Sequence, residues 1–297
     1  MDTEVQKAPD RLKVLDNIAE NERRGFFAKD VEEDPIWEPV DPDSVDFCGT
    51  KISTKIKTRF ANFMGNKFFR RSMRRKEVIF AGVTGLENLE DIKGGAIVTC
   101  NHINRFDNFA VFLGLRKFYG RRFRMYKIIR EGNYGFPGKI GFFMRYCNTL
   151  PINESNNYKL TVECMKGVKH HLSRGKKILI YPEQGMWWNY RKPRPLKKGA
   201  FLFAAKFDAP VIPCFLSLED SDIMGKDGFW VQRFTLNILP PIYPDPKLNA
   251  NRNCEMMRDK NYIAWKDAYE KIYGRELVYD TEAQSSETQE DATDSDE

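Results

Sequence analysis

From Val78 onward, short runs rich in β-branched and aromatic residues alternate with longer stretches of helical periodicity. This alternation constrains the fold more than any other feature of the 297 residues. Val78 to Val83, Ala96 to Asn101, Phe123 to Arg130, Asn148 to Ile152, Lys177 to Tyr181, Pro210 to Ser217 and Trp230 to Leu239 read as strands. Phe106 to Phe118, Gly138 to Tyr146, Asn156 to Leu172, Lys197 to Phe207 and Asn253 to Tyr273 read as helices. Alternation of this kind predicts a single α/β domain with a mixed, largely parallel central sheet flanked by helices. In such sheets ligands sit beyond the carboxyl ends of the strands. Two candidate strands end in reactive side chains, at Asn101 to Asp107 and at Tyr181 to Trp188, so both turns are expected to open onto one cleft.

Charge divides the rest of the chain. Residues 1–50 carry 14 acids and 6 bases, the tail 281–297 carries 7 acids and no base, and 51–280 carries a net charge of +21. The tail contains no aromatic residue and is expected to be disordered. Residues 1–50 read as an acidic, irregular extension, weakly helical from Arg11 to Arg24 and then broken by Pro35, Pro39 and Pro42. Residues 51–77 read as a basic amphipathic helix, with ten Lys and Arg and no acid in 51–76. Ile52, Ile56, Phe60, Phe63, Met64 and Phe68 form one apolar stripe on it. Such a helix either lies in the headgroup layer of an anionic membrane or packs its stripe on the domain core. Nothing further in the sequence supports a nucleic-acid partner.

The longest stretches without a charged residue, Gly94 to Asn104 and Phe234 to Pro244, have eleven residues, whereas a spanning helix needs about 20. The N-terminus lacks the apolar run of a secretory signal. A cytoplasmic protein, peripheral on the inner face of the membrane, is expected. Six scattered cysteines without Cys-x-x-Cys spacing argue against a disulfide framework and against a zinc site. His170 and His171 read as solvated side chains at a helix end.

His102 has Asp107 five residues on, close enough for the carboxylate to fix one imidazole nitrogen and leave the other as a base. No Gly-x-Ser-x-Gly elbow accompanies the pair, so a covalent acyl-enzyme is not indicated.

Three blocks follow one another: Asn101-His102 with Asp107, Tyr181-Pro182-Glu183, and Lys197-Lys198-Gly199-Ala200 followed by Ala209-Pro210-Val211-Ile212-Pro213. In order and interval they resemble the glycerolipid acyltransferase family, whose best-known members are the 1-acylglycerol-3-phosphate acyltransferases. The likeness covers roughly residues 78–240 and implies an acyltransferase unit over 78–280. It implies an O-acyl transfer from a thioester of coenzyme A or acyl carrier protein, with no metal and no bound cofactor. His102 is then the general base for a hydroxyl of a lysophospholipid such as 1-acylglycerol-3-phosphate, and Asp107 orients it. Asn101, Lys127, Glu183, Gln184, Gly185, Trp187, Arg191 and Arg194 are candidate substrate contacts.

The chain departs from the family where a phosphorylated acceptor is commonly held by arginine. The Tyr-Pro-Glu block continues as Pro182-Glu183-Gln184-Gly185-Met186, and the short strand ahead of it reads Leu150-Pro151-Ile152-Asn153-Glu154. Neither Met nor Glu imitates the planar fork of Arg. Arg191, Lys192 and Arg194, or Lys127 and Arg130, are the available replacements. Alternatively Trp187 and Trp188 stack on a sugar or glycolipid headgroup, or the fold serves as a non-catalytic peripheral lipid-binding protein.

Overall fold

The structure, a computed structural model, describes residues 6–32, 39–153 and 157–281. Seven strands form one sheet: β1 (Ile79–Thr84), β2 (Ala96–Cys100), β3 (Met125–Arg130), β4 (Thr149–Ile152), β5 (Lys177–Ile180), β6 (Val211–Met224) and β7 (Trp230–Ile238). Their spatial order is β1-β7-β6-β2-β5-β3-β4, and every neighbouring pair is parallel except the β6–β7 hairpin. The sheet is mixed and largely parallel, as the alternating pattern predicts. β2 and β5 are buried at every residue, which is why they read as unbroken apolar runs.

Helices cover both faces. The helices α3 (Asp107–Tyr119) and α2 (Ile52–Arg74) lie on one side, over a core that includes Val98, Val111, Leu115, Leu179 and Leu236. On the other side α6 (Tyr158–Ser173), α7 (Gly199–Lys206) and α8 (Ala250–Tyr273) pack around Ile97, Ile178, Phe201, Phe215 and Trp265. The connection leaving β2 therefore runs to one face and that leaving β5 to the other, the topology at whose strand ends α/β sheets bind ligands.

The sequence misplaces some boundaries for local reasons. α8 starts three residues earlier than its apolar periodicity, because the Asn249 side chain accepts from the Arg252 amide and caps it. β6 continues seven residues past the expected end at Ser217, through Glu219, Asp220 and Asp222, because this charged stretch is the arm of an antiparallel hairpin with β7. The short α4 (Glu131–Gly135) lacks the length to show a period. It precedes α5 (Gly138–Tyr146), whose bounds coincide with the expected ones.

His171 is not a solvated helix-end side chain. It is buried, bonds the Phe47 carbonyl through Nε2 at 2.9 Å, and stacks on Tyr126 with ring centres 3.6 Å apart. Its polar neighbours Lys169 and Arg174 suggested exposure, but the segment before α2 closes over it. Burial pushes its pKa down to about 4.

The acidic extension is more regular than its prolines suggest. α1 (Pro9–Arg23) places Val14 and Ile18 with Val31 against Trp187, Trp188 and Tyr190. Residues 282–297 of the acidic tail lie outside the described residues.

Candidate active site

The chain leaves β2 at Cys100 and turns through Asn101 to Phe106 into α3. Asp107, buried in the first turn of α3, accepts at one carboxylate oxygen, Oδ2, from His102 Nδ1 at 2.6 Å and from the amides of Ile103 and Asn104 at 3.3 and 3.4 Å. Its other oxygen accepts from the Tyr181 hydroxyl at 2.6 Å. A carboxylate is also favoured there by the helix dipole. Tyr181 lies face to face with His102, with ring centres 3.9 Å apart and planes 15° apart. The imidazole is thus clamped by a bond along its edge and a ring on its face. The carboxylate holds the proton on Nδ1, which leaves the lone pair on Nε2, and the side chain stays 24% exposed. Burial first, and then the Asp107 charge, push the Tyr181 hydroxyl well above its ordinary range, so it remains a donor.

The turn after β5 supports the His102 backbone. Glu183 accepts from the His102 amide at 3.0 Å, and the Trp187 amide donates to the His102 carbonyl at 3.0 Å. Glu183 also takes the Arg194 amide at 2.7 Å and the Arg194 guanidinium at 3.0 Å, with both side chains fully buried.

Several candidate contacts consequently have other partners. Arg194, expected to swing a fork into the cleft, is buried on Glu183, the Phe27 and Gly185 carbonyls and the Trp187 ring. Trp187 is also fully buried; its indole donates to the Lys29 carbonyl, and its ring stacks with Phe27, so it offers no face to a headgroup. Trp188 packs edge-on to Phe229. Arg191 pairs with Asp220 at 2.9 Å, and Lys192 pairs with Glu22 and Asp280. Asn101 is buried and exchanges two bonds with the Leu216 backbone, which fixes the end of β2 to β6. Glu183 carries the turn instead of facing substrate. The sequence missed these roles because the acids and carbonyls that engage the loop come from residues 22–30, 220 and 280, remote in the chain.

Of the remaining candidates, Gln184 is exposed at φ 70°, and Gly185 is buried against the Asp30 carboxylate, with which a Cβ would collide. Lys127 is half-buried in β3 within the field of Asp107. Burial lowers its pKa, while Cys147 and Asp107 pull it back up. Tyr181 is the residue the sequence under-read: its signal was only its place at the head of the Tyr-Pro-Glu turn. Among the described residues no group of three or more His, Cys, Asp or Glu could hold a metal ion.

Residues 81–217 match the family model described as Acyltransferase. A chloroplastic 1-acyl-sn-glycerol-3-phosphate acyltransferase, BAT2 of Brassica napus, is 27% identical over 135 residues, which are 45% of this chain and 36% of the relative. The chain therefore matches little more than a third of that relative's length. Among solved structures, the 1-acyl-sn-glycerophosphate (LPA) acyltransferase PlsC from Thermotoga maritima aligns with a TM-score of 0.47 at 19% identity, over 75% of this chain and 80% of that one.

Proposed function

We propose, from the premise that residues 81–217 form a domain of the acyltransferase family, that the chain moves a fatty acyl group from a thioester to a hydroxyl of a lysophospholipid. The observation that carries this reading is the His102–Asp107–Tyr181 arrangement, an imidazole with one nitrogen held by a carboxylate and a side chain that stays 24% exposed just beyond the end of β2. The acceptor class is that in the Brassica napus relative's name, a 1-acylglycerol-3-phosphate. The donor is a thioester of coenzyme A or acyl carrier protein.

In the proposed step Nε2 of His102 takes the proton of the acceptor hydroxyl as its oxygen attacks the thioester carbonyl. The tetrahedral intermediate collapses, the C–S bond breaks, and the departing thiolate takes the proton back from the imidazolium. Asp107 stabilises that imidazolium. Lys127, a partly buried cation near the pair, is assigned to the developing oxyanion. No group in this scheme requires a metal. The sugar-acceptor alternative loses its support with the burial of Trp187.

Residues 78–280 are assigned as the acyltransferase unit and α2 as its membrane-surface element. The apolar stripe of α2 faces solvent: Ile52, Ile56, Phe60, Phe63 and Phe68 are each at least 50% exposed. No helix among the described residues is long and apolar enough to cross a membrane. A basic helix with a bare apolar face suits peripheral binding to anionic lipid, and we assign it to the cytoplasmic, inner face.

The test is His102→Ala, assayed with labelled acyl thioester and lysophosphatidate. Loss of a general base lowers turnover about 10² to 10⁴-fold, with the thermal transition nearly unchanged. Wild-type turnover in this variant would overturn the mechanism.

A further inference from the structure

We propose that Arg130 reads the acceptor's phosphate, and that Asp30, on the strap of chain that follows α1, is an internal carboxylate that occupies its guanidinium until the acceptor displaces it. The proposal rests on the reading of His102 as the base for a phosphorylated acceptor.

Position is the first argument. Arg130 ends β3, His102 follows the end of β2, and β5 lies between them. At 4.7–4.9 Å per strand the two strand ends are about 10 Å apart, a span over which a glycerol phosphate can offer its hydroxyl to one and its phosphate to the other. An unbroken line of contacts joins them. His102 donates its amide to Glu183; two residues on, Gly185 lies against Asp30; and Asp30 meets Arg130.

Chemistry is the second. Arg130 gives Nη1 to one oxygen of Asp30 and Nη2 to the other, each at 2.7 Å, the side-by-side geometry with which guanidinium takes a phosphate. A carboxylate brings one negative charge to that fork and a phosphomonoester nearly two near neutral pH, so the acceptor is the stronger ligand.

Exchangeability is the third. The Arg130 and Asp30 side chains are 26% and 42% exposed, whereas Arg194 and Glu183 are sealed at 0% and 1%. A pair open to water adds little to folding and exchanges partners without unfolding anything. Of the other bases beside the turn, Lys192 and Arg194 are engaged by the buried carboxylates of Glu22 and Glu183; the Arg191–Asp220 pair is as open to water, at 32% and 50% exposure, but Asp220 is held in addition by the Gln232 amide at 2.7 Å.

The experiment uses the full chain in detergent micelles and reads the ratio of kcat/KM for lysophosphatidate to that for monoacylglycerol. Asp30→Asn is expected to raise this ratio several-fold by lowering the KM for lysophosphatidate. Arg130→Gln is expected to lower it about tenfold or more, the scale of a lost bond to a charged partner, and the double variant is expected to match Arg130→Gln. A ratio that neither variant moves, or two acceptors shifted by the same factor, would overturn the proposal and leave the pair as a fastening of the strap. Arg130→Lys, which keeps the charge without the fork, serves if Arg130→Gln does not fold. Calorimetric titration with glycerol 3-phosphate separates this inference from the reading beneath it. If no variant and no wild-type chain transfers acyl groups, the His102 mechanism falls. Tighter glycerol 3-phosphate binding in Asp30→Asn, lost in Arg130→Gln, would still support Arg130, and equal binding in all would sink it.

Discussion

At the scale of single residues, the site depends on how Asp107 divides its two oxygens. Oδ2 serves His102 and two amides, and Oδ1 serves the Tyr181 hydroxyl, so each substitution here removes a different function. Asp107→Asn preserves shape but no longer fixes the Nδ1–H tautomer, and turnover is expected to fall by about 10⁴, as when a triad carboxylate is made an amide. Tyr181→Phe keeps the stacked ring and deletes only the donor. A buried carboxylate oxygen left without its bond costs about 1 to 3 kcal/mol, so the expected outcome is a lower melting temperature together with a fall in kcat and little change in KM. Steady-state kinetics beside a thermal melt checks both; a changed KM at constant kcat would show that Tyr181 touches substrate instead of positioning the pair. The sequence made His102 and Asp107 legible because their partnership is local, five residues along one turn. It could not show that Arg194 and Trp187 are buried, because the Phe27 and Lys29 segment that covers them is remote in the chain and brought in by folding alone.

At the scale of elements, apolar runs and periods placed all seven strands, most plainly β2 and β5, since parallel strands buried on both faces cannot hide their composition. What a period cannot state is which way a helix face points. α2 carries two candidate faces. Ala61, Gly65, Phe69 and Ser72 are buried, with Phe69 stacked 4.9 Å from Phe109, while the more conspicuous stripe of Ile52, Ile56, Phe60 and Phe63 is left outside. The packing face lies mainly toward α5, with Gly65 small enough to sit against the Phe109 ring and the Cys147 thiol, and a hydropathy reading overlooks small residues of this kind. Ile140 on the adjoining α5 is exposed too, extending the patch. Replacing Phe60 and Phe63 by Ser is therefore expected to spare the melting temperature and weaken co-sedimentation with anionic vesicles. The bases predict that 1 M salt, where the Debye length is about 3 Å, weakens wild-type binding as well. Equal binding of wild type and variant to anionic and neutral vesicles, indifferent to salt, would rule out this face as the docking surface.

At the scale of the whole molecule, the two ends of the described chain converge on one loop. Lys192 pairs with Glu22 from α1 and with Asp280, and the Tyr279 hydroxyl donates to the Pro193 carbonyl, so the turn that holds His102 is clamped from both sides. Arg194→Ala would leave Glu183 a buried, uncompensated charge at a cost of about 3 to 5 kcal/mol. Stability and activity should fall together, which a denaturant titration beside an activity assay would register. A second long-range closure sets the response to acid. The segment before α2 covers His171, whose pKa is pushed down to about 4 by burial against the opposing pull of the Phe47 carbonyl, from an ordinary value of 6.5. Between those values the unfolded chain binds a proton that the folded chain excludes, so the stability this group contributes is complete above pH 6.5 and is lost as pH falls towards 4. At 1.36 kcal/mol per unit, the loss across the window is roughly 3 kcal/mol. His171→Gln retains a donor for the Phe47 carbonyl and has nothing to titrate, so its denaturation midpoint should fall less between pH 7 and pH 4.5 than that of the wild type. Parallel pH profiles for the two proteins would show that the acid sensitivity arises elsewhere.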